Sequence, residues 1–174
     1  MKIFIIKHKT WIVCCKIIFF YIHLWRKRNN ITFALSFMSN LSNKSEINID
    51  AAKLLNDKNL YSAVAHCAYY ACYQKIKHIW LHKQGKTEQE LKNLGSTKPR
   101  MGSHEVLINE IGSFIKNSRS KNFIEDSRIY NNNILQLKRL RTKADYEDTV
   151  FDFTNSSKSL SLSNEIIPVL NKYL

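Results

Sequence analysis

The stretch between Asn59 and Lys83 constrains the fold most, because its apolar residues recur every three or four positions and so predict one long helix. One side of this helix is continuously apolar. The residues on that side are Tyr61, Val64, Ala65, Ala68, Cys72, Ile76 and Ile79. Because several of these side chains are small, a second helix can pack closely against them, as helices do in an antiparallel bundle.

The rest of the chain after Met38 shows the same kind of pattern. Alternating apolar and polar residues, which would predict β-strands, are almost absent. We predict further helices at 45–56, 103–117, 127–148 and 155–173, with loops at 84–101 and 118–126. The first loop is expected to hold one helical turn near 88–93. Residues 45–174 are thus predicted to be all-α, an antiparallel bundle of four to five helices.

Residues 1–37 differ from the remainder in composition. They contain Lys and Arg residues but no acid, so they contribute +7 to the formal net charge of +13 and leave +6 for the remainder. Their apolar run at 11–25 is shorter than the roughly 20 residues that span a bilayer, and Lys16 interrupts it. Three interpretations stay open: a spurious or disordered extension with Met38 as the true start, membrane association, or a processed leader.

Several classes of protein lack support in the sequence. The chain has no Gly-rich phosphate loop, no Gly-x-Ser-x-Gly turn and no His-Glu-x-x-His zinc motif. His78 and His82 lie one helical turn apart without an accompanying cysteine or carboxylate cluster, so no metal site and no cofactor are predicted. The cysteines form no disulfide framework, which favours a reducing, cytoplasmic location. A charge of +6 fits a nucleic-acid partner and equally a solvated helical surface.

Arg141 stands out because its side chain projects from the apolar side of the predicted helix at 127–148. It lies seven residues after Ile134 and four after Leu137, which places the three side chains on one face. A guanidinium there needs an anionic partner, because burying an unpaired charge costs on the order of several kcal/mol. Asp145 one turn on, a carboxylate elsewhere in the fold and a phosphate-bearing ligand are the candidates.

Polar aromatic residues lie beside the apolar stripe of the helix at 59–83. His66 faces Tyr70, and Tyr69 faces Tyr73, because the members of each pair are one helical turn apart. Such tyrosines either pack in the core with a hydrogen-bonded hydroxyl or stay available to stack on a base or contact a ligand. The sequence leaves both interpretations open.

Ser103 and His104 open the next predicted helix. The Ser103 hydroxyl is predicted to cap this helix by accepting hydrogen bonds from amides of the first turn. Free amides at a helix start attract anions, so His104 is a candidate to donate to a phosphate or to act as a general acid or base. An ordinary surface histidine is the alternative.

Three short motifs occur in a fixed order, namely Tyr69-Tyr-Ala71, Ser103-His104 and Arg141-Thr-Lys-Ala-Asp-Tyr146. Together with the helical content they resemble the prokaryotic branch of the HEPN domain, the higher eukaryotes and prokaryotes nucleotide-binding family, over residues 45–174. The resemblance implies a bundle of four to five helices that forms a homodimer. It also implies a minimal nucleotidyltransferase as partner, in a toxin–antitoxin pair or a two-component transferase.

Many HEPN relatives are metal-independent RNases, in which an arginine and a following histidine at the dimer cleft let the RNA 2′-OH attack its own phosphate. No histidine follows Arg141 in this chain. The acid–base partner must therefore come from elsewhere, with His104 as the candidate, or be absent. Loss of a general acid or base typically lowers a rate by about two to four orders of magnitude.

We therefore predict a HEPN-type protein that binds nucleotide or RNA phosphate and acts with a nucleotidyltransferase. Its predicted ligand contacts are Arg141, Asp145, Tyr146, Tyr69, Tyr70 and Ser103. The first alternative is a metal-independent RNase toxin with Arg141 and His104 as catalytic residues, in which Asp145 or Tyr146 is a further candidate for proton transfer. The second alternative is a purely structural dimeric module, in which Arg141 and Asp145 hold helices together. Membrane contact is expected only through residues 1–37.

Overall fold

The computed structural model describes residues 39–118 and 120–174. In this part of the chain every regular element is helical, which confirms the all-α prediction. The helices are α1 (Asn40–Asp57), α2 (Tyr61–His78), α3 (Glu88–Thr97), α4 (Ser103–Lys116), α5 (Phe123–Tyr146) and α6 (Phe153–Asn171).

The predictions for residues 1–37, including the apolar run at 11–25 and the choice of Met38 as start, lie outside the described residues. Among the helices of 39–118 and 120–174, none combines the length and the apolar character that crossing a bilayer requires. Membrane contact through the N-terminal segment stays a prediction.

Helix α2 lies at the centre of the bundle. It packs against α1, α5 and α6 and also contacts α4. Its inner side is buried as the apolar spacing predicts, and the fully buried residues include Val64, Ala65, Ala68, Cys72 and Ile76. The small side chains let α1 come close, and Ser45 of α1 donates a hydrogen bond to the Ala71 carbonyl at 2.7 Å.

A π-helical turn, Ile79–Lys83, extends α2 and carries Trp80, the largest fully buried side chain among the described residues. The indole Nε1 of Trp80 donates to the Thr87 carbonyl at 3.0 Å. Gly85 reverses the chain between them with φ of +64°, a backbone conformation that side chains disfavour. The reversal brings Lys86 Nζ to 4.3 Å from the centre of the Trp80 ring.

Helix α3 occupies most of the segment for which we predicted a loop with a single turn. A capping box starts it: Glu90 N donates to Thr87 Oγ1 at 3.1 Å, and Thr87 N donates to Glu90 Oε2 at 2.6 Å. Leu91 is buried in the core and anchors the helix. Gly95 does not end the helix, which continues to Thr97.

The prediction that Ser103 caps α4 is wrong by one residue. Gly102 is the N-cap, with the extended backbone that this position adopts (φ −68°, ψ 153°), and no side chain bonds to the first turn. Ser103 is therefore the first helical residue, and its side chain is exposed. Because the N-cap is Gly102 and not Ser103, His104 is the second helical residue and lies in the first turn of α4.

A buried carboxylate joins the start of α5 to the end of α6. α5 begins at Phe123, earlier than the predicted residue 127, so Asp126 lies in its first turn. Asp126 is 1% exposed; its Oδ1 lies 2.6 Å from Lys172 Nζ, and its Oδ2 accepts from the Tyr173 hydroxyl at 3.0 Å.

Candidate functional site

Helices α2, α4 and α5 bring together an aromatic cluster that contains an arginine and a histidine. We call it the tyrosine–arginine cluster; its members are Tyr69, Tyr70, Tyr73, His104 and Arg141. The tyrosines come from successive turns of α2, the histidine from the first turn of α4 and the arginine from the last turns of α5. Residues from all three sequence motifs are thus close in space.

The imidazole of His104 is held between tyrosines. Its ring stacks on Tyr73 with centroids 4.0 Å apart and meets Tyr70 edge to face at 6.0 Å. Its Nδ1 lies 2.9 Å from the hydroxyl of Tyr69, which is fully buried. The sequence left open whether these tyrosines belong to the core or to a site. Tyr69 packs in the core with a hydrogen-bonded hydroxyl, whereas Tyr70 is only half-buried.

The guanidinium of Arg141 has Asp145 as its anionic partner, one of the three candidates from the sequence. Arg141 Nε lies 2.7 Å from Asp145 Oδ2, although the N–H does not point along that line as a hydrogen bond requires. Nη2 donates to the hydroxyls of Tyr70 and Tyr146, each at 3.2 Å. The guanidinium carbon lies 5.5 Å from the centre of the Tyr70 ring. The Arg141 side chain is 16% exposed, so these contacts replace most of its water.

Asp145 is shared between two basic groups. Besides Arg141, it accepts from His66 on α2, whose Nδ1 lies 3.1 Å from Oδ2 and 3.3 Å from Oδ1. The sequence showed only that His66 faces Tyr70, and the two rings are 4.7 Å apart. The contact between His66 and Asp145 joins residues 79 positions apart and depends on how α2 and α5 pack, which no local pattern reveals.

The other two predicted ligand contacts differ in position. The Tyr146 ring is 71% exposed and lies beside Arg141, with the guanidinium carbon 5.1 Å from its centroid. Ser103 is exposed and makes no hydrogen bond to the cluster within the described part of the chain. Tyr146 is therefore accessible beside Arg141, whereas Ser103 is adjacent to His104 only through the backbone.

Burial lowers the pKa of His104, and nearby positive charges lower it further. The charges are those of Arg141, Lys138 and Lys77, in decreasing order of effect. The imidazole is therefore neutral at pH 7. Burial raises the pKa of Tyr69 well above its usual range and the pKa of Tyr73 to about 12, so both phenols keep their protons.

Both lysines near His104 already have carboxylate partners. Lys138 Nζ lies 2.7 Å from Glu105 Oε2, and Lys77 Nζ lies 2.7 Å from Glu88 Oε1. The three cations that act on His104 therefore each have a carboxylate partner. An incoming anion would have to share or exchange these partners.

The depressed pKa of His104 predicts a loss of stability on acidification. Below the ordinary histidine pKa of 6.5, the unfolded chain takes up a proton that the folded chain resists. The free energy of unfolding should therefore decrease as the pH falls from about 7 to about 5, with His78, whose pKa burial also lowers, contributing. Urea denaturation at several pH values measures this dependence. His104→Gln should make the free energy of unfolding depend less on pH, and an unchanged dependence would contradict the prediction.

No metal centre is evident in the described ranges, where no group of three or more His, Cys, Asp or Glu side chains is placed to hold an ion. The rings of His78 and His82 lie 4.8 Å apart. The Nδ1 of His78 is hydrogen-bonded to the hydroxyl of Ser39, which caps α1. This histidine therefore joins the start of α1 to the end of α2.

Comparison of the chain with protein-family models, with curated proteins and with solved structures found no match. The HEPN resemblance thus depends on the three motifs and on the all-α fold, and it stays a prediction.

Proposed function

We propose that the tyrosine–arginine cluster binds a phosphate group of a nucleotide or of RNA, as the resemblance to HEPN domains implies. The supporting observation is the arrangement of Arg141. Its Nε faces Asp145 and its Nη2 is held by two tyrosines, whereas Nη1 has no hydrogen-bond partner within residues 39–118 and 120–174. A guanidinium fixed in this way presents donors in a geometry suited to phosphate.

The aromatic surroundings favour a nucleotide or RNA over a free phosphate ion. The exposed ring of Tyr146 lies next to Arg141 and offers a surface on which a base can stack. Base stacking on an aromatic side chain stabilises a complex by about 1–3 kcal/mol per base. We therefore expect the phosphate at Arg141 and the base at Tyr146.

The nuclease alternative is supported by the position of His104, which shares Tyr69 and Tyr70 with Arg141. A histidine close to a phosphate-binding arginine can serve as a general base when the nitrogen that faces the substrate carries a lone pair. The structural alternative is supported by the ion pair between Arg141 and Asp145. Each alternative predicts a different result for the same experiment.

The test is a titration of the full chain with 5′-AMP, with a short single-stranded RNA and with adenosine, followed by calorimetry. We expect binding of AMP and RNA and no binding of adenosine, because adenosine lacks the phosphate that Arg141 would hold. RNA incubated with the protein and EDTA shows whether cleavage occurs. Cleavage that is lost in folded Arg141→Ala and His104→Ala variants establishes the nuclease, and absence of both binding and cleavage leaves the structural role.

The resemblance also implies a homodimer and a nucleotidyltransferase partner, and we include both in the proposal. Exposed apolar side chains at one end of the bundle are compatible with an interface. They are Leu60, Val150 and Phe153, and the Phe153 ring meets Tyr61 at 5.8 Å. Light scattering on the purified chain measures the oligomeric state.

A further inference from the structure

We infer that Tyr69 fixes the tautomer of His104 so that the imidazole presents an N–H, and not a lone pair, to the ligand. The inference rests on the proposed function, because it specifies how the same site contacts a phosphate. Tyr69 is then a positioning residue that acts through His104, and His104 Nε2–H is a second donor beside Arg141. The contact that carries the inference is the one between Tyr69 Oη and His104 Nδ1, at 2.9 Å.

The phenol of Tyr69 needs a hydrogen-bond acceptor. The residue is 0% exposed, so bulk water does not reach its hydroxyl, and a buried O–H without an acceptor is costly. Among the described residues, His104 Nδ1 is the hydrogen-bond partner of this hydroxyl. Burial keeps the phenol protonated by raising its pKa. The hydroxyl therefore donates to Nδ1, and Nδ1 carries no hydrogen.

The remaining hydrogen of the neutral imidazole must lie on Nε2. Arg141, Lys138 and Lys77 are the charged groups that act on His104, and all three disfavour a second proton on the ring. Stacking on Tyr73 at 4.0 Å holds the ring plane. Nε2 has no hydrogen-bond partner within residues 39–118 and 120–174, and the side chain is only partly buried, so the N–H is available to a ligand.

This tautomer favours phosphate binding by His104 over acid–base catalysis by His104. A general base needs a lone pair on the nitrogen that faces the substrate, and Nε2–H has none. A general acid would have to give up the only N–H hydrogen of a neutral ring and leave an imidazolate. A donor to a phosphate oxygen needs neither step. The phosphate of the proposed function would then have two kinds of donor near it, His104 Nε2–H and the Arg141 guanidinium, because both side chains lie against Tyr69 and Tyr70.

The first experiment reads the tautomer directly by nitrogen-15 NMR of the imidazoles in the full chain near neutral pH. The chain has six histidines, so His104→Gln identifies the signals of His104. We expect an unprotonated Nδ1 and a protonated Nε2. Protonation at Nδ1 in the folded wild-type chain overturns the inference, and this reading needs no variant that alters Tyr69.

The second experiment removes the hydroxyl. Tyr69→Phe should convert His104 to a mixture of tautomers and weaken RNA binding by roughly three- to tenfold, the effect of losing one hydrogen bond that orients a donor. Tyr61→Phe is the control, because Tyr61 is on the same helix outside the cluster and its hydroxyl donates to Asn59 Oδ1, so this variant should leave the tautomer and RNA binding unchanged. Circular dichroism verifies that both variants fold.

The outcomes distinguish failure of this inference from failure of the proposed function. Nε2–H in a chain that binds neither AMP nor RNA supports the tautomer and contradicts the phosphate-binding function. RNA binding together with Nδ1–H, or with a tautomer that Tyr69→Phe leaves unchanged, supports the function and overturns the role of Tyr69.

Discussion

Replacing Arg141 with alanine is expected to weaken binding of RNA and of 5′-AMP by about tenfold to a hundredfold, since hydrogen bonds to a charged donor contribute about 1.5–3 kcal/mol. The same change should lower the free energy of unfolding by about 1–3 kcal/mol. Asp145 would then keep only His66 as a basic partner, and its side chain is 17% exposed. That exposure places the cost below the values typical of fully buried pairs. Calorimetry measures the binding and urea denaturation the stability.

Arg139→Ala is the matched control for this prediction. Arg139 is on the same helix, two residues before Arg141, and its side chain is exposed with no ion pair in the described part of the chain. Its removal should change the stability by less than about 0.5 kcal/mol and leave AMP binding unaffected. If Arg141→Ala folds and binds RNA as tightly as the wild type, the proposed site is wrong. A loss of stability in a chain that binds neither compound favours the structural alternative.

Asp126→Ala should be the more damaging change to the fold itself, lowering the free energy of unfolding by about 2–4 kcal/mol. The carboxylate is 1% exposed, and it accepts from both Lys172 and Tyr173. Its loss leaves the Tyr173 hydroxyl without its acceptor in the interior and separates the first turn of α5 from the end of α6. Urea denaturation measures the effect.

The preceding residue supplies the control. Glu125 is exposed, and its carboxylate pairs with Arg128 one turn on, at 2.8 Å. Exposed pairs of this kind contribute little, so Glu125→Ala should leave the urea midpoint nearly unchanged. Equal destabilisation by the two variants would show that burial of Asp126 is not what stabilises the junction between α5 and α6.

The fold could be predicted from sequence where apolar residues recur at helical spacing. The inner side of α2 is an example, because a helix that buries one side repeats its apolar residues every three to four positions in the sequence. Only one turn of α3 was predicted, near 88–93, because Gly95 and the following Lys98-Pro99 indicated a loop. The spacing of Thr87 and Glu90 carried the opposite signal, since a Thr followed three residues later by Glu is a capping box.

The candidate site could be predicted only in part. Asp145 was one of three candidate partners of Arg141 because their spacing on one helix allows a pair, and the pair is present. The contact of Tyr69 with His104 joins α2 to α4, so it depends on how far each helix is rotated about its axis when they pack. Single-sequence spacing describes the faces of one helix and contains no information on that rotation.

The position of Asp145 has a consequence for selectivity. A carboxylate already occupies one edge of Arg141 and is itself held by His66. Any anion that binds this guanidinium therefore either shares Arg141 with Asp145 or exchanges with that carboxylate. Monovalent ions that offer nothing beyond a single charge have little advantage in that exchange. A ligand gains binding free energy over the Asp145 carboxylate only through groups that a carboxylate lacks, such as further oxygens and an attached aromatic ring.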